Sequence, residues 1–199
     1  RVAIIQWLQE RGLSPDHVAA LDVVRCGPAA HPPKPADERA IRCPGWPWCA
    51  VLPLVDATGL TRSLVFRAVE QPQVGPKSYA LAGYERRGLV LADPMGRALL
   101  SQTGPSAPTV ADIDGGPSVT WDGVVRLVEG EPDFLTWAAD PERIQKDDEL
   151  CTSAILGWLG SAGLPMEIAQ RIPTEARVVI YPHQDANGAG ERAAKLTRE

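Results

Sequence analysis

From Val124 onward the chain alternates short, almost wholly apolar runs with segments of helical character. "VVRLVEG" (124–130) leads into "EPDFLTWAAD", "SAILGWLGS" (153–161) into "PMEIAQRIP", and "RVVIYP" (177–182) into "GAGERAAKL". Runs this apolar have no polar face to turn to water, so each strand is expected to be covered on both sides. Strands separated by helices join in parallel through right-handed crossovers. The rhythm predicts an α/β fold with a parallel sheet flanked by helices, and in such sheets chemistry gathers at the carboxyl ends of the strands.

The acids fall at those ends. Glu129 closes the first run, and Gly130 lets the backbone turn sharply behind it; Asp133 stands near the start of the next helix. Asp185 lies just past the third run, with His183 two residues before it. If the first and third strands are neighbours, Glu129, Asp133, His183 and Asp185 converge on one patch. Crowded carboxylates repel one another unless a hard cation neutralises them, and magnesium prefers oxygen ligands. The imidazole of His183 suits manganese better. Taken singly, Asp133 could cap a helix and Asp185 could sit in a turn; their shared placement at strand ends favours a metal-assisted phosphoryl-transfer site.

The first half is organised differently. "VAIIQWLQERGLSPDHVAAL" predicts two short helices, the second starting at Ser14 with Pro15 in its first turn. The Pro-rich "CGPAAHPPKPADERAIRCPGWPW" predicts a loop, and "CAVLPLVDATGLTRSLVFRAVE" predicts a hairpin turning at Asp56 to Gly59. "GLVLAD" reads as a strand and "PMGRALLSQ" as a short helix. The Gly, Pro, Asp and Ser density of 103–118 marks a boundary, giving an N-terminal α+β subdomain over 1–102, a linker over 103–120 and the alternating domain over 121–199. Trp46 and Trp48 of "CPGWPWC" could stack on single-stranded bases or pack on the core, the commoner fate of Trp.

A net charge of −5 argues against binding DNA by bulk electrostatics. A local groove is still allowed, because between residues 50 and 100 Arg62, Arg67, Lys77, Arg86, Arg87 and Arg97 outnumber the acids. Cys26, Cys43, Cys49 and Cys151 are too sparse for a disulfide framework, and Cys43 and Cys49 lack the close spacing of a zinc knuckle. No apolar run approaches the ~20 residues needed to span a bilayer. The expectation is a cytoplasmic protein without a membrane partner, and the start at Arg1 suggests a segment of a longer chain.

The residues also carry a family resemblance. "VVRLVEGEPDFLTWA", "ILGWLGSAG" and "VVIYPHQDANGAGERAA" resemble the Toprim domain of DnaG-type primases, topoisomerases and some nucleases, in which one strand ends in Glu-Gly and a later one in Asp-x-Asp before a Gly and an Ala-rich helix. Here His183 replaces the first Asp. The likeness spans Val124 to Leu196. "LPLVDATGLTRSLVFRAVE" followed by "GPKSYALAGYERRGLVLADP" resembles the small mixed α/β subdomain preceding Toprim in primase cores, with Ser78-Tyr79-Ala80 where the primase motif carries an Asn, and "LQERGLSPDHV" is similar to the start of phage and plasmid primase cores. The resemblance implies a DNA primase-like nucleotidyltransferase that makes RNA primers. Glu129 and Asp185 would be catalytic, Glu129, Asp133, His183 and Asp185 would hold Mg2+ or Mn2+, and Arg67 and Lys77 would hold phosphates. Implied partners are single-stranded DNA, ribonucleoside triphosphates and a replicative helicase. A Toprim nuclease and a non-catalytic nucleic-acid-binding remnant of a primase are the alternatives.

Overall fold

A computed structural model describes residues 2–21, 24–26, 49–69, 77–80, 84, 86–104, 107–111, 118–139, 143–146, 149–160, 163–182, 188, 191–192 and 194–195. The chain opens with α1 (Val2–Gln9) and α2 (Pro15–Ala20), then β1 (Val24–Cys26), β2 (Cys49–Val55), β3 (Thr61–Ala68) and β4 (Ser78–Ala80). Next come β5 (Leu91–Ala92), α3 (Pro94–Ser101), β6 (Thr109–Val110), β7 (Val119–Glu129) and α4 (Glu131–Ala138). The last elements are β8 (Arg143–Lys146), β9 (Glu149–Trp158), α5 (Met166–Ala169) and β10 (Arg177–Tyr181).

The two opening helices form where the sequence places them, with the Ser14 hydroxyl accepting from the His17 N–H and Pro15 at a position that needs no donor. The predicted hairpin is β2–β3. Asp56 shapes its turn by accepting at Oδ1 from the Thr58 N–H at 2.8 Å and the Thr58 hydroxyl at 2.6 Å, while Gly59 adopts φ 74. With β1 and β4 the hairpin makes a four-stranded antiparallel sheet in the order β1-β2-β3-β4.

The second sheet runs β10-β7-β9-β5, with β6 also pairing β7 and β8 also pairing β9. Its centre is parallel, β10 with β7 and β7 with β9, so the first and third predicted strands are neighbours. The additions of β5 and β8 to β9 and of β6 to β7 are antiparallel. β8 carries no apolar signal of its own and forms because it folds back on β9. β5, which lies before the Gly- and Pro-rich tract in sequence, adds to the edge of this sheet, and α3 packs against β9. Val55 and Val90 exchange backbone hydrogen bonds of 2.8 and 3.0 Å, linking the two sheets directly.

Helices cover both faces, as strands this apolar require. On one face lie α4, the two opening helices and the β2–β3 hairpin: Trp7, Leu8, Leu13, Leu52, Leu54 and Val65 share one core with Val128, Phe134, Leu135 and Ile155. On the other lie α3 and α5, where Met95, Leu99, Leu100 and Ile168 meet Val125, Leu127, Leu156 and Trp158. Each fully buried aliphatic side chain of this kind contributes about 1.5–3 kcal/mol, so the first core holds the hairpin sheet on the α4 side. No helix among the described residues is long and apolar enough to cross a membrane.

Candidate functional site

β7 ends at Glu129, in register with Trp158 at the end of β9, and Gly130 then turns the chain into α4. Gly130 has φ 83 and ψ 165, a conformation open essentially to Gly alone. Its N–H bonds to the Trp158 carbonyl at 2.9 Å, which fixes the turn to the sheet edge. By strand alternation Glu129 belongs to the face of Val125 and Leu127. It is half-buried, with its Oε2 shielded from solvent. Asp133 stands in the first turn of α4, half-buried.

Tyr181, the last residue of β10, is in register with Val128, so the predicted convergence of the β7 and β10 ends is present in the backbone. His183 and Asp185 follow Tyr181 and lie outside the described residues, as do Trp46, Trp48, His31 and Cys43. Among the described residues no group of three or more His, Cys, Asp or Glu is assembled that could hold a metal ion. The donors brought to the β7 end, Glu129 and Asp133, are carboxylates, and an all-oxygen set of this kind fits Mg2+, or Mn2+ with an imidazole added.

The first sheet supplies the cations. Arg67 on β3 pairs in register with Ala50 and Ser78 and shares the face of Val65, which belongs to the core against the second sheet. Its side chain is therefore turned toward α4, where Nη1 lies 3.5 Å from Oε2 of Glu131. Ser78 donates its hydroxyl to the other carboxylate oxygen, Oε1. Glu131, two residues beyond Glu129, is the residue that sequence reasoning missed. At the first position of a helix an acid is ordinary, and only the packing of the two sheets shows that it meets Arg67. Lys77 is exposed, with its carbonyl accepting from the Ala68 N–H.

A cavity of about 220 Å³ opens at the same sheet edge, lined by Arg86, Arg87, Gly88, Leu89, Trp158, Leu159, Gly163 and Pro165. Both arginines are exposed, whereas Trp158 is 1% exposed and its Nε1 makes no hydrogen bond among the described residues. A buried indole N–H ordinarily finds an acceptor. A mouth flanked by two exposed arginines suits an anionic ligand.

A second polar cluster, also unforeseen, ties the ends of the parallel strands together on the α4 face. Arg126 donates from Nη1 to the Tyr181 hydroxyl at 2.8 Å and from Nε to Ser153 Oγ at 3.1 Å, and its guanidinium lies 5.1 Å from the Trp137 ring centre. Trp137 and Tyr181 pack with ring centres 4.4 Å apart. Ser153 donates onward to Asp122 Oδ2 at 3.1 Å. β10 is exposed at Arg177 and Val178 and half-buried beyond them, and this cluster holds Tyr181 to β7.

No protein-family model and no curated protein matches the sequence. Solved structures do match. The chain is similar to the DnaG catalytic core with a TM-score of 0.56 and 15% identity, over 98% of this chain and 58% of that one. A DnaG primase catalytic domain bound to single-stranded DNA aligns with a TM-score of 0.54 and 15% identity, over 97% of this chain and 59% of that one. The zinc-binding and RNA polymerase domains of the Aquifex aeolicus primase give 0.50 and 15%, over 96% and 46%. The chain thus spans less than three fifths of the length of these structures. What nearly full coverage of this chain establishes at such low identity is its architecture: it has the fold of the DnaG primase catalytic core.

Proposed function

We propose that this chain is the core of a primase-like nucleotidyltransferase, joining ribonucleoside triphosphates on a single-stranded DNA template. The observation that carries this reading is the convergence of the β7 and β10 ends beside Arg67 of the other sheet. By this reading the end of β7, with Glu129 and Asp133, would share one site with His183 and Asp185, which follow β10 in sequence. The fold shared with a DnaG catalytic domain bound to single-stranded DNA supports the same reading.

Glu129, Asp133, His183 and Asp185 would hold the divalent ion, and Glu129 could in addition accept a proton from the attacking hydroxyl. The bound ion would neutralise phosphate charge and stabilise the leaving oxygen. Arg67 and Lys77 would orient the triphosphate, Arg67 by its planar fork and Lys77 as an exposed point charge. Arg86 and Arg87 would draw the anion toward the Trp158 cavity. In phosphoryl transfer such positioning and charge stabilisation supply nearly all of the catalysis.

Calorimetric titration with Mn2+ and Mg2+ tests the site. Saturable binding is expected in the wild type and is expected to be lost in both Glu129→Gln and Asp185→Asn. Undiminished binding by either folded variant would dismantle the shared site. If no ion binds, single-stranded DNA affinity that survives Glu129→Gln would instead support the non-catalytic binding module.

A further inference from the structure

A contact between β3 and α4 puts a carboxylate where the proposed function calls for phosphate. Arg67 and Ser78 are cross-strand partners, so a guanidinium and a hydroxyl are presented side by side toward the second sheet. A guanidinium beside a hydroxyl is a donor set well matched to paired phosphate oxygens. Here one carboxylate engages both. Glu131 accepts from Ser78 at Oε1 and meets Arg67 at Oε2, with its own side chain 8% exposed and that of Arg67 21% exposed.

The geometry is not that of a pair optimised for stability. A buried Arg–carboxylate pair repays its desolvation when the two forks meet bidentately and the remaining donors are satisfied. The Arg67–Glu131 approach is an Nη1 contact of 3.5 Å, and Arg67 Nε is buried with no hydrogen-bond partner among the described residues. Among the described residues, then, Arg67 keeps a desolvated donor without an acceptor while its contact with Glu131 is long. An anion with several oxygens could satisfy more of these donors than Glu131 does, but it would be repelled by that carboxylate as long as the side chain stayed in place.

We propose that Glu131 is an internal competitor for the phosphate-binding donors Arg67 and Ser78, so that a polyphosphate ligand binds there only by displacing its carboxylate. The proposal rests on the reading of Arg67 as a phosphate ligand. It makes Glu131 a residue that sets affinity for the triphosphate moiety: the contact ties α4 to β3 in the free protein and is exchanged for a phosphate contact when ligand arrives.

The test is calorimetric titration of inorganic tripolyphosphate, at low ionic strength, into the wild type, Glu131→Gln, Arg67→Ala and the double variant. Glu131→Gln is expected to bind about tenfold more tightly than the wild type, a difference of about 1.4 kcal/mol, since the ligand no longer has to displace a carboxylate from Arg67. Arg67→Ala is expected to bind more weakly, and Glu131→Gln is expected to give no gain in that background. Should the Gln variant fail to fold, Glu131→Met keeps the length without the charge and is expected to show the same gain. Equal affinity of wild type and Glu131→Gln, with binding still lost in Arg67→Ala, would overturn the competitor and leave the phosphate site standing. A gain that persists without Arg67 would reduce the effect to net charge and overturn the proposal. Absence of binding in all four proteins would overturn both.

Discussion

Two places in this molecule share a local plan, a strand that ends near an acid and turns into a helix, and they use the acid in opposite ways. At the end of β5, Asp93 is itself the N-cap of α3: Oδ1 accepts from the Gly96 N–H at 2.7 Å and from the Ile155 N–H on β9 at 3.0 Å. It is 3% exposed. At the end of β7 the cap position is Gly130, which has no side chain to offer, and the acids flank it as Glu129 and Glu131. One carboxylate is consumed in closing the fold, while the other two are held at the sheet edge, one of them reaching a cation of the first sheet. A glycine in the cap position is what releases an acid from structural duty.

The contrast is broken most sharply by exchanging roles. Glu129→Gln is expected to lower nucleotidyl transfer on the order of 10³-fold while leaving the melting temperature unchanged, whereas Asp93→Asn is expected to leave the turnover of the folded protein intact. Primer-synthesis rates alongside thermal melts decide it, and a collapse of turnover in Asp93→Asn would erase the distinction.

The next effect is a pH dependence peculiar to Asp93. Burial, against its two backbone N–H donors and Arg97, pushes its carboxyl up from 3.8 to about 7. A raised folded value means that the folded state holds the proton more tightly, so the contribution is fully present below about pH 4 and is lost as pH rises toward 7. Across that window it amounts to on the order of 4 kcal/mol. Denaturant melts from pH 4 to 8 are expected to show this downward component in the wild type, and its disappearance in Asp93→Asn. Asp56 carries the opposite sign: burial works to raise it, but hydrogen bonds from the Thr58 hydroxyl, Arg62 and the Thr58 and Leu60 N–H groups outweigh that and hold it at about 2. Its contribution is lost only as pH falls through that value, outside the window in which Asp93 titrates.

The smallest of the three effects probes the packing behind Asp93. A Cβ on Gly96 would stand 2.8 Å from the Ile155 carbonyl oxygen and 2.9 Å from both Asp93 Oδ1 and Leu156 Cδ2. Gly96→Ala is therefore expected to destabilise by about 1–3 kcal/mol. Chemical denaturation measures it, and an unchanged midpoint would show that the α3 side yields as readily as an open edge.

Much of this was legible in the chain. Strand-period apolar runs and their spacing are local properties, and they placed β7, β9 and β10, the parallel centre of the sheet, the β2–β3 hairpin and both opening helices. Glu129 at a strand end needed only the Glu-Gly pair to be seen. Arg67 could be picked out only through a resemblance, and what it touches was invisible, because 64 positions separate it from Glu131. The same distance in sequence hid the Arg126–Tyr181 contact and the addition of β5 to the second sheet.

By itself, then, the amino-acid sequence determined the β2–β3 hairpin, the strands β7, β9 and β10, the two opening helices and which carboxylate stands at a strand's end, since propensity and period act over a few residues. The tertiary structure alone decided that Asp93 would be sealed inside, that Glu131 on α4 would meet Arg67 on β3, and that Trp158 would be buried beside two arginines. Those outcomes depend on which faces pack together, and side-chain partners brought in by a shared core leave no mark on the spacing of either segment.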